Sequence, residues 1–426
     1  MMSPESVSHA CRTALAAVVV LAVGCVLSRP VGAAGDQPAK LDVTPATCPA
    51  LVIKDDDVSR YPDGRPAAFR GFADPCLRKD PVSGELWLVY SWPHMEHLGP
   101  GALDYAAGVE THLAVSKDSG KSWKRDKVLW PRTPATFKDA RTRAAKEGFI
   151  SHEVPNIVPC TIDGKASWVG VRDDYFLGRD GNYKARDNRS FCFRLMTAAT
   201  PPELSDAPYV TFGHSMTSPE CKVDVNLCDL SKDFPVMFIP NEPTLYFRDG
   251  RLYFAFVCMT FNGQTPDFPS SFIAVLSTEC KGPIQKWTWR YHGKLTTHKE
   301  AKELGGDSLT QIDLALGKDG KLLALLTPEA WNPKAPGAEG GDAFFGIMHY
   351  GCVVVEVESL DTPALARRKD GKLAVRAILT STTPTEQGPG AAAYDPASAT
   401  GILFTLRDLS IGKNLVWSLH PTGLHP

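Results

Sequence analysis

Two stretches place an acid directly before a proline at the head of an apolar run: Ala73-Asp74-Pro75-Cys76-Leu77 and Asn241-Glu242-Pro243-Thr244-Leu245. Two carboxyl groups facing one another, one protonated and one ionised, equip a site for general acid–base chemistry. A carboxyl crowded by other carboxylates has a raised pKa, as a proton donor at neutral pH requires. The competing reading is that each acid caps a turn or pairs with a nearby arginine, and Asp74 has Arg70 and Arg78 close in sequence. Glu242 heads an otherwise apolar strand, where an acid is costly to bury without a purpose. Two further stretches share the pattern. Glu153-Val154-Pro155-Asn156-Ile157 brings Glu153 and His152 alongside, and Thr310-Gln311-Ile312-Asp313-Leu314 puts Asp313 in nearly the same place. Glu153 and Asp313 are therefore candidates to join the catalytic pair. His152 is a candidate ligand contact, with a satisfied structural histidine as the alternative. Arg172, in Arg172-Asp173-Asp174-Tyr175, would either contact a ligand or sit in a surface ion pair. Trp92, Tyr175 and Trp331 follow inner-strand positions, where they would stack on a flat ligand face or pack. His94 and His97 have spacing that suits a metal poorly, so no metal site is expected.

The elements that must position these residues repeat. Leu86–Tyr90, Ser167–Val171, Leu252–Val257, Lys321–Leu326 and Gly401–Leu406 are short apolar runs with a strand-like composition. A turn precedes each one: Ser83-Gly84, Asp163-Gly164, Asp249-Gly250, Asp319-Gly320 and Ala399-Thr400. Asp-Gly between apolar runs is a strong hairpin signal. The turns fall near residues 84, 164, 250, 320 and 400, and such regular spacing indicates a repeat architecture. An all-β, five-bladed β-propeller with four-stranded antiparallel blades is expected, in one domain spanning 34–426. A pair of β-sandwiches with chance hairpin spacing is the alternative. Residues 138–147 are expected to form a helix in an inserted loop. In a propeller the inner strands all begin at one end of the axis, so Asp74 and Glu242 would converge there.

Two family resemblances follow from these residues. Ser116-Lys117-Asp118-Ser119-Gly120-Lys121-Ser122-Trp123 resembles the Asp-box of sialidases and related propellers, a structural hairpin in which Ser116, Asp118, Gly120 and Trp123 are the fixed positions. Ala73-Asp74-Pro75 followed by Gly84–Ser91, and Asn241–Tyr246 followed by Asp249–Tyr253, resemble the first and third blades of family 43 glycoside hydrolases, five-bladed propellers acting on arabinan and xylan. That resemblance implies Asp74 as general base and Glu242 as general acid of glycoside cleavage, which needs two carboxyls flanking the scissile bond. The pattern departs in blade two, where the family's Asp is replaced by Val154; either Glu153 substitutes or the site is altered. A sialidase would need three arginines and a Tyr–Glu pair. Phe69-Arg70 resembles that family's first arginine, with Arg172, Arg248 and Arg407 as candidates for the rest. The reading is a carbohydrate-active hydrolase, with a non-catalytic glycan- or protein-binding propeller, or a sialidase-like exo-glycosidase, as alternatives.

Composition narrows the partners. The 426 residues carry 46 Lys and Arg against 48 Asp and Glu, a net charge of −2, which gives no electrostatic case for nucleic acid. The 35 Gly and 34 Pro favour turns over long helices. Arg12 followed by the apolar run 13–24 fits an export signal, with cleavage expected after Ala33. Leu21–Cys25 is a loose lipobox that would put a lipid on Cys25, the sole membrane contact expected; an uncleaved anchor is the other alternative. A monomer in the periplasm or outside the cell, with no cofactor, follows as the expectation; no motif supports a structural cation. In an oxidising compartment some cysteines should pair. Cys221 and Cys228 flank a six-residue loop and are the first candidate disulfide, with Cys160–Cys192 and Cys258–Cys280 next.

Overall fold

A computed structural model describes residues 37–97, 105–139, 142–178, 188–262, 265–332, 347–381, 386–408 and 415–426. The leader to Ala33, including Cys25, lies outside the described residues. The described chain opens with three short strands, β1 (Ala39–Asp42), β2 (Ile53–Lys54) and β3 (Phe69–Gly71). Five sheets then follow in chain order. The first holds β4 (Ala73–Lys79), β5 (Leu86–His97), β6 (Tyr105–Ser116) and β7 (Trp123–Trp130). The second holds β8 (Thr133–Lys138), β9 (Ala145–Ile162), β10 (Lys165–Gly178), β11 (Cys192–Ala198), β12 (Tyr209–Gly213) and β13 (Val225–Asn226). In the third are β14 (Ile239–Arg248) and β15 (Arg251–Met259); a separate small hairpin, β16 (Phe261–Asn262) with β17 (Thr265–Pro266), precedes its outer strands β18 (Phe272–Glu279) and β19 (Arg290–Thr296). The fourth contains β20 (Ser308–Leu316), β21 (Leu322–Trp331), β22 (Ile347–His349), β23 (Cys352–Ser359), β24 (Ala364–Leu365) and β25 (Val375–Thr380). The fifth contains β26 (Glu386–Ala393), β27 (Leu403–Asp408) and β28 (Leu415–Pro421).

The first strands of the sheets pack side by side in a closed ring: β4 on β9, β9 on β14, β14 on β20, β20 on β26, and β26 back on β4. This is an all-β propeller. The early strands stitch it shut. Strand β3 pairs parallel to β28, β1 parallel to β25 and β2 parallel to β7, so the chain's start covers outer edges of three sheets. Apolar faces of neighbouring sheets interlock between the radial layers. Phe193, Phe212, Phe254, Phe256 and Trp289 meet between the second and third sheets, with ring centroids 5.0–6.0 Å apart. Each fully buried Phe removes apolar surface worth roughly 2–3 kcal/mol from water.

The glycine turns form where the sequence places them. Gly84, Gly164, Gly250 and Gly320 all take φ between +77° and +79°, a region open to glycine at no steric cost. The 116–123 turn is closed by its own side chains. Ser116 Oγ donates to Asp118 Oδ1 at 2.8 Å, the amide of Ser122 donates to the same oxygen at 2.9 Å, and Trp123 Nε1 donates to the Gly120 carbonyl at 3.1 Å.

Two expectations are corrected. Residues 138–147 hold no helix among those described: Ala145, Lys146 and Glu147 pair with Lys138, Phe137 and Thr136 as the extended end of a β8–β9 hairpin. The Cys221–Cys228 disulfide is not formed. All nine cysteines from Cys48 to Cys352 are free thiols. Cys221 packs instead with Cys192 in a small cluster, its thiol donating to the Ser190 carbonyl at 3.4 Å, while the Cys228 thiol donates to the Pro235 carbonyl at 3.3 Å. The proposed Cys160–Cys192 pair is likewise unformed, since Cys192 lies with Cys221, and Cys258 and Cys280 are free thiols too.

Candidate active site

Four inner strands share one backbone irregularity. Asp74, Val154, Glu242 and Gln311 have φ of 47°, 48°, 53° and 54°, the left-handed region that non-glycine residues rarely enter. The ladder to the second strand slips at each: between Ala73 and Cys76, opposite Val171–Asp173, between Asn241 and Thr244, and between Thr310 and Ile312. These are bulges, which re-aim a side chain at the cost of local strain. Pro75, Pro155 and Pro243 follow the first three and have no N–H to lose where the ladder skips. Asp74 and Glu242 therefore occupy equivalent places, as their sequence context suggests.

Around them stands a group of carboxyls. Asp74 and Glu242 are 9% and 8% exposed. Glu153 is half-buried, and its Oε2 accepts the Tyr175 hydroxyl at 2.5 Å. Asp173, 1% exposed, was not singled out by its sequence context. It comes from β10, and its Oδ2 accepts the Glu242 amide at 3.3 Å. Its other oxygen has no hydrogen-bond partner among the described residues. Burial, and then the Glu153 charge, push Asp173 well above the usual carboxylate range. Burial, and then Asp74, Asp173, Glu153 and Glu329, push Glu242 well above it too. Burial and Glu153 raise Asp74 to about 7, against the Ser91 hydrogen bond. Gln311 Nε2 donates to Asp74 Oδ1 at 3.5 Å. The arrangement favours the protonated form of Glu242, and Asp74 is raised to about 7.

The remaining candidates are sorted by their contacts. Asp313 is not in this group. It lies two residues past the bulge, 3% exposed, where Arg78 donates to it at 2.5 and 3.1 Å. Asn156 Nδ2 and Thr244 Oγ1 also donate to Asp313, at 3.2 and 3.3 Å. It is a polar pin joining the inner strands of four sheets, and Gln311 holds the position that sequence alignment gave it. His152 and Arg172 are engaged with a neighbouring acid. Both are buried and bonded to Asp174, His152 Nδ1 at 2.5 Å and Arg172 Nε at 2.9 Å, with Arg194 Nε 2.8 Å from its other oxygen. Burial alone would raise Asp174, but Arg172, His152 and Arg194 hold it below the usual range. The expected surface ion pair is thus a buried one.

The aromatic candidates divide similarly. Trp92 stacks on His94 and His112 at 5.1 and 4.8 Å and donates to the Asp57 carbonyl, so it packs. Tyr175 is fully buried against Phe191 at 4.9 Å and donates to Glu153. Trp331 is half-buried at the end of β21. The arginine set of a sialidase does not assemble. Arg70 donates to the Ala67 carbonyl from β3, Arg172 serves Asp174, and exposed Arg248 pairs with Asp249 at a hairpin turn. Only Arg407, buried beside Glu329, lies near the carboxyl group. Among the described residues, no cluster of His, Cys, Asp and Glu could hold a metal ion.

No family model matches the chain, and no curated protein matches it. Solved structures do. An exo-1,5-α-L-arabinanase from a bovine ruminal metagenomic library is 12% identical, with 83% of this chain and 92% of that one covered at a TM-score of 0.43. An α-L-arabinofuranosidase from Fusarium graminearum, solved with an iminosugar inhibitor, is 10% identical over 88% and 96%, at 0.42. A protein of unknown function from Dyadobacter fermentans is 11% identical over 88% and 97%, at 0.46. Similarity at this level says nothing about the chemistry of the site.

Proposed function

We propose that this chain is a glycoside hydrolase in which Glu242 is the general acid and Asp74 the general base. The observation that carries the reading is the gathering of Asp74, Glu153, Asp173 and Glu242 around the bulges of the inner strands, where like charge and desolvation favour protons on some of the group. Structural ion pairs lower carboxyl pKa values; this group raises them, as proton donation at neutral pH demands. Cleavage would proceed by proton transfer from Glu242 to the glycosidic oxygen as the C–O bond breaks. Asp74, ionised, would take a proton from the water that attacks the sugar carbon. Asp173, bonded to the Glu242 amide, would hold that strand in place and, when ionised, keep the Glu242 proton on by repulsion. It takes the part that Val154 cannot. Glu153, fixed by Tyr175, would raise Asp74 toward neutrality.

We take each larger sheet as one blade, and the 116–123 hairpin as an Asp-box. The leader supports export, so the glycan would be met outside the cytoplasm. Screening arabino- and xylo-oligosaccharides tests the reading. Release of reducing sugar by the wild type, and its loss in Glu242→Gln and Asp74→Asn, is expected. A folded wild type that cleaves none of a broad panel of neutral glycans would overturn it and favour a binding propeller.

A further inference from the structure

Four inner strands carry the same bulge, and the acid–base pair occupies only two of the four places. Apolar Val154 takes the third, and the last belongs to Gln311 of β20, whose φ of 54° matches those of Asp74 and Glu242. A non-glycine residue is held in that conformation at a cost. Gln311 is half-buried rather than sealed, and its carboxamide lies between two partners. On one side Nε2 donates to Asp74 Oδ1 at 3.5 Å. On the other, the Thr327 hydroxyl of β21 donates to Oε1 at 3.2 Å. Thr327 is 1% exposed, and its hydroxyl also lies 2.9 Å from the Gly390 carbonyl of β26. Its single hydrogen serves one acceptor at a time. Given to Oε1, it fixes the carboxamide with an N–H toward Asp74, which suits an ionised carboxyl. Given to Gly390, it leaves a lone pair on Oγ1 for an Nε2 hydrogen, and the carboxamide, turned over, offers Oε1 to a protonated Asp74.

We propose that Gln311 is a positioning residue for the general base: its carboxamide, braced by Thr327, holds the Asp74 carboxyl toward the attacking water both before and after it takes the proton. The inference rests on the glycosidase reading and adds a residue to it. The step balances without a further reactant. The water gives its proton to Asp74 as its oxygen bonds the sugar carbon, and the glycosidic oxygen leaves with the proton from Glu242. Gln311 and Thr327 only turn, and neither gains nor loses a proton. A group with both a donor and an acceptor serves both states of a carboxyl. An acid in this place would instead add charge to Glu153 of β9, Asp173 of β10 and Glu242 of β14, the carboxyls gathered around Asp74. A hydrogen bond to an ionised oxygen is roughly twice as strong as one between neutral groups, so the pairing favours the ionised base on balance.

The test uses the full chain carrying Gln311→Met, which keeps the length of the side chain and removes both of its hydrogen-bonding groups. The carboxylate band of Asp74, identified by its absence in Asp74→Asn, is followed by infrared pH titration with no sugar present. Its midpoint should rise by about half a pH unit or more in Gln311→Met. Thr327→Val should move it the same way, and Thr327→Ser, which keeps the hydroxyl, should bring it back; this pair carries the comparison should Gln311→Met fail to fold. On the neutral oligosaccharide that the wild type cleaves best, Gln311→Met should lower kcat about tenfold or more with KM within about threefold, and the acid limb of its pH profile should follow the infrared midpoint. A wild-type midpoint in folded Gln311→Met overturns the inference and leaves the glycosidase reading standing. A shifted midpoint in a protein whose wild type cleaves no neutral glycan overturns the glycosidase reading, and the inference falls with it.

Discussion

At the scale of single residues the site is a set of carboxyls kept from ionising together. Asp173→Asn removes a carboxyl that repels the Glu242 charge once it ionises on the alkaline side, so Glu242 should then lose its proton more readily. The alkaline limb of the activity profile should move to lower pH, which a pH–rate series on the wild type and the variant would show. The wild-type acid limb should reflect Asp74, with activity rising through about pH 7 as its carboxyl ionises. The equivalent placement of Asp74 and Glu242 was legible in the sequence because both stand before a proline heading an apolar run. Asp173 was not. In Arg172-Asp173-Asp174-Tyr175 it looks like half of a surface ion pair. The bulge opposite Val171–Asp173 breaks the alternation of the strand, so that Asp174 takes the arginines while Asp173 meets Glu242. Alternation in sequence cannot reveal a slip of one residue that only the partner strand defines.

At the scale of elements the inner strands are pinned together by polar contacts rather than by packing alone. Asp313 gathers Arg78 from β4, Asn156 from β9 and Thr244 from β14. Asp313→Ala would leave the Arg78 guanidinium buried without its counter-charge. The expected loss is about 3–5 kcal/mol of unfolding free energy, measurable by denaturant titration; a change within experimental error would mean that the pin is not structural. The turn signals at Gly84, Gly164, Gly250 and Gly320 made the repeat readable, because positive φ strongly favours glycine there. The stretch 138–147 misled because its alanines, lysines and arginines have helical propensity. Tertiary pairing overrode it: β9 runs eighteen residues, and its beginning is drawn out along β8. The cysteine pairs misled because sequence separation says nothing about which loops meet.

At the scale of the whole molecule, the ring is closed by segments distant in sequence. Strands β1, β2 and β3 each add to the outer edge of a different sheet. A chain lacking residues 38–71 should expose those edges, melt well below the full chain and aggregate on heating; calorimetry would show a single unchanged transition if closure depended on the inner ring alone. The carboxyl group also sets how stability varies with pH. Asp74, Asp173, Glu242 and Glu329 bind protons more tightly folded than unfolded. Their contribution is therefore fullest below about pH 4, the unfolded value, and is lost as pH rises through the folded values. Asp74→Asn should raise the unfolding free energy at pH 8 relative to the wild type by on the order of 2 kcal/mol, and with it the melting temperature, and should make little difference at pH 4. A protein that gives up stability at its working pH to hold these acids together is organised around them.

The most direct test of that account is the turnover of Glu242→Gln on the neutral oligosaccharide that the wild type cleaves best. The account predicts a fall of at least about a hundredfold in kcat, with the fold and disaccharide binding retained. Turnover within a few-fold of the wild type would show that the proton comes from elsewhere, and the assignment of the acid–base pair would be wrong.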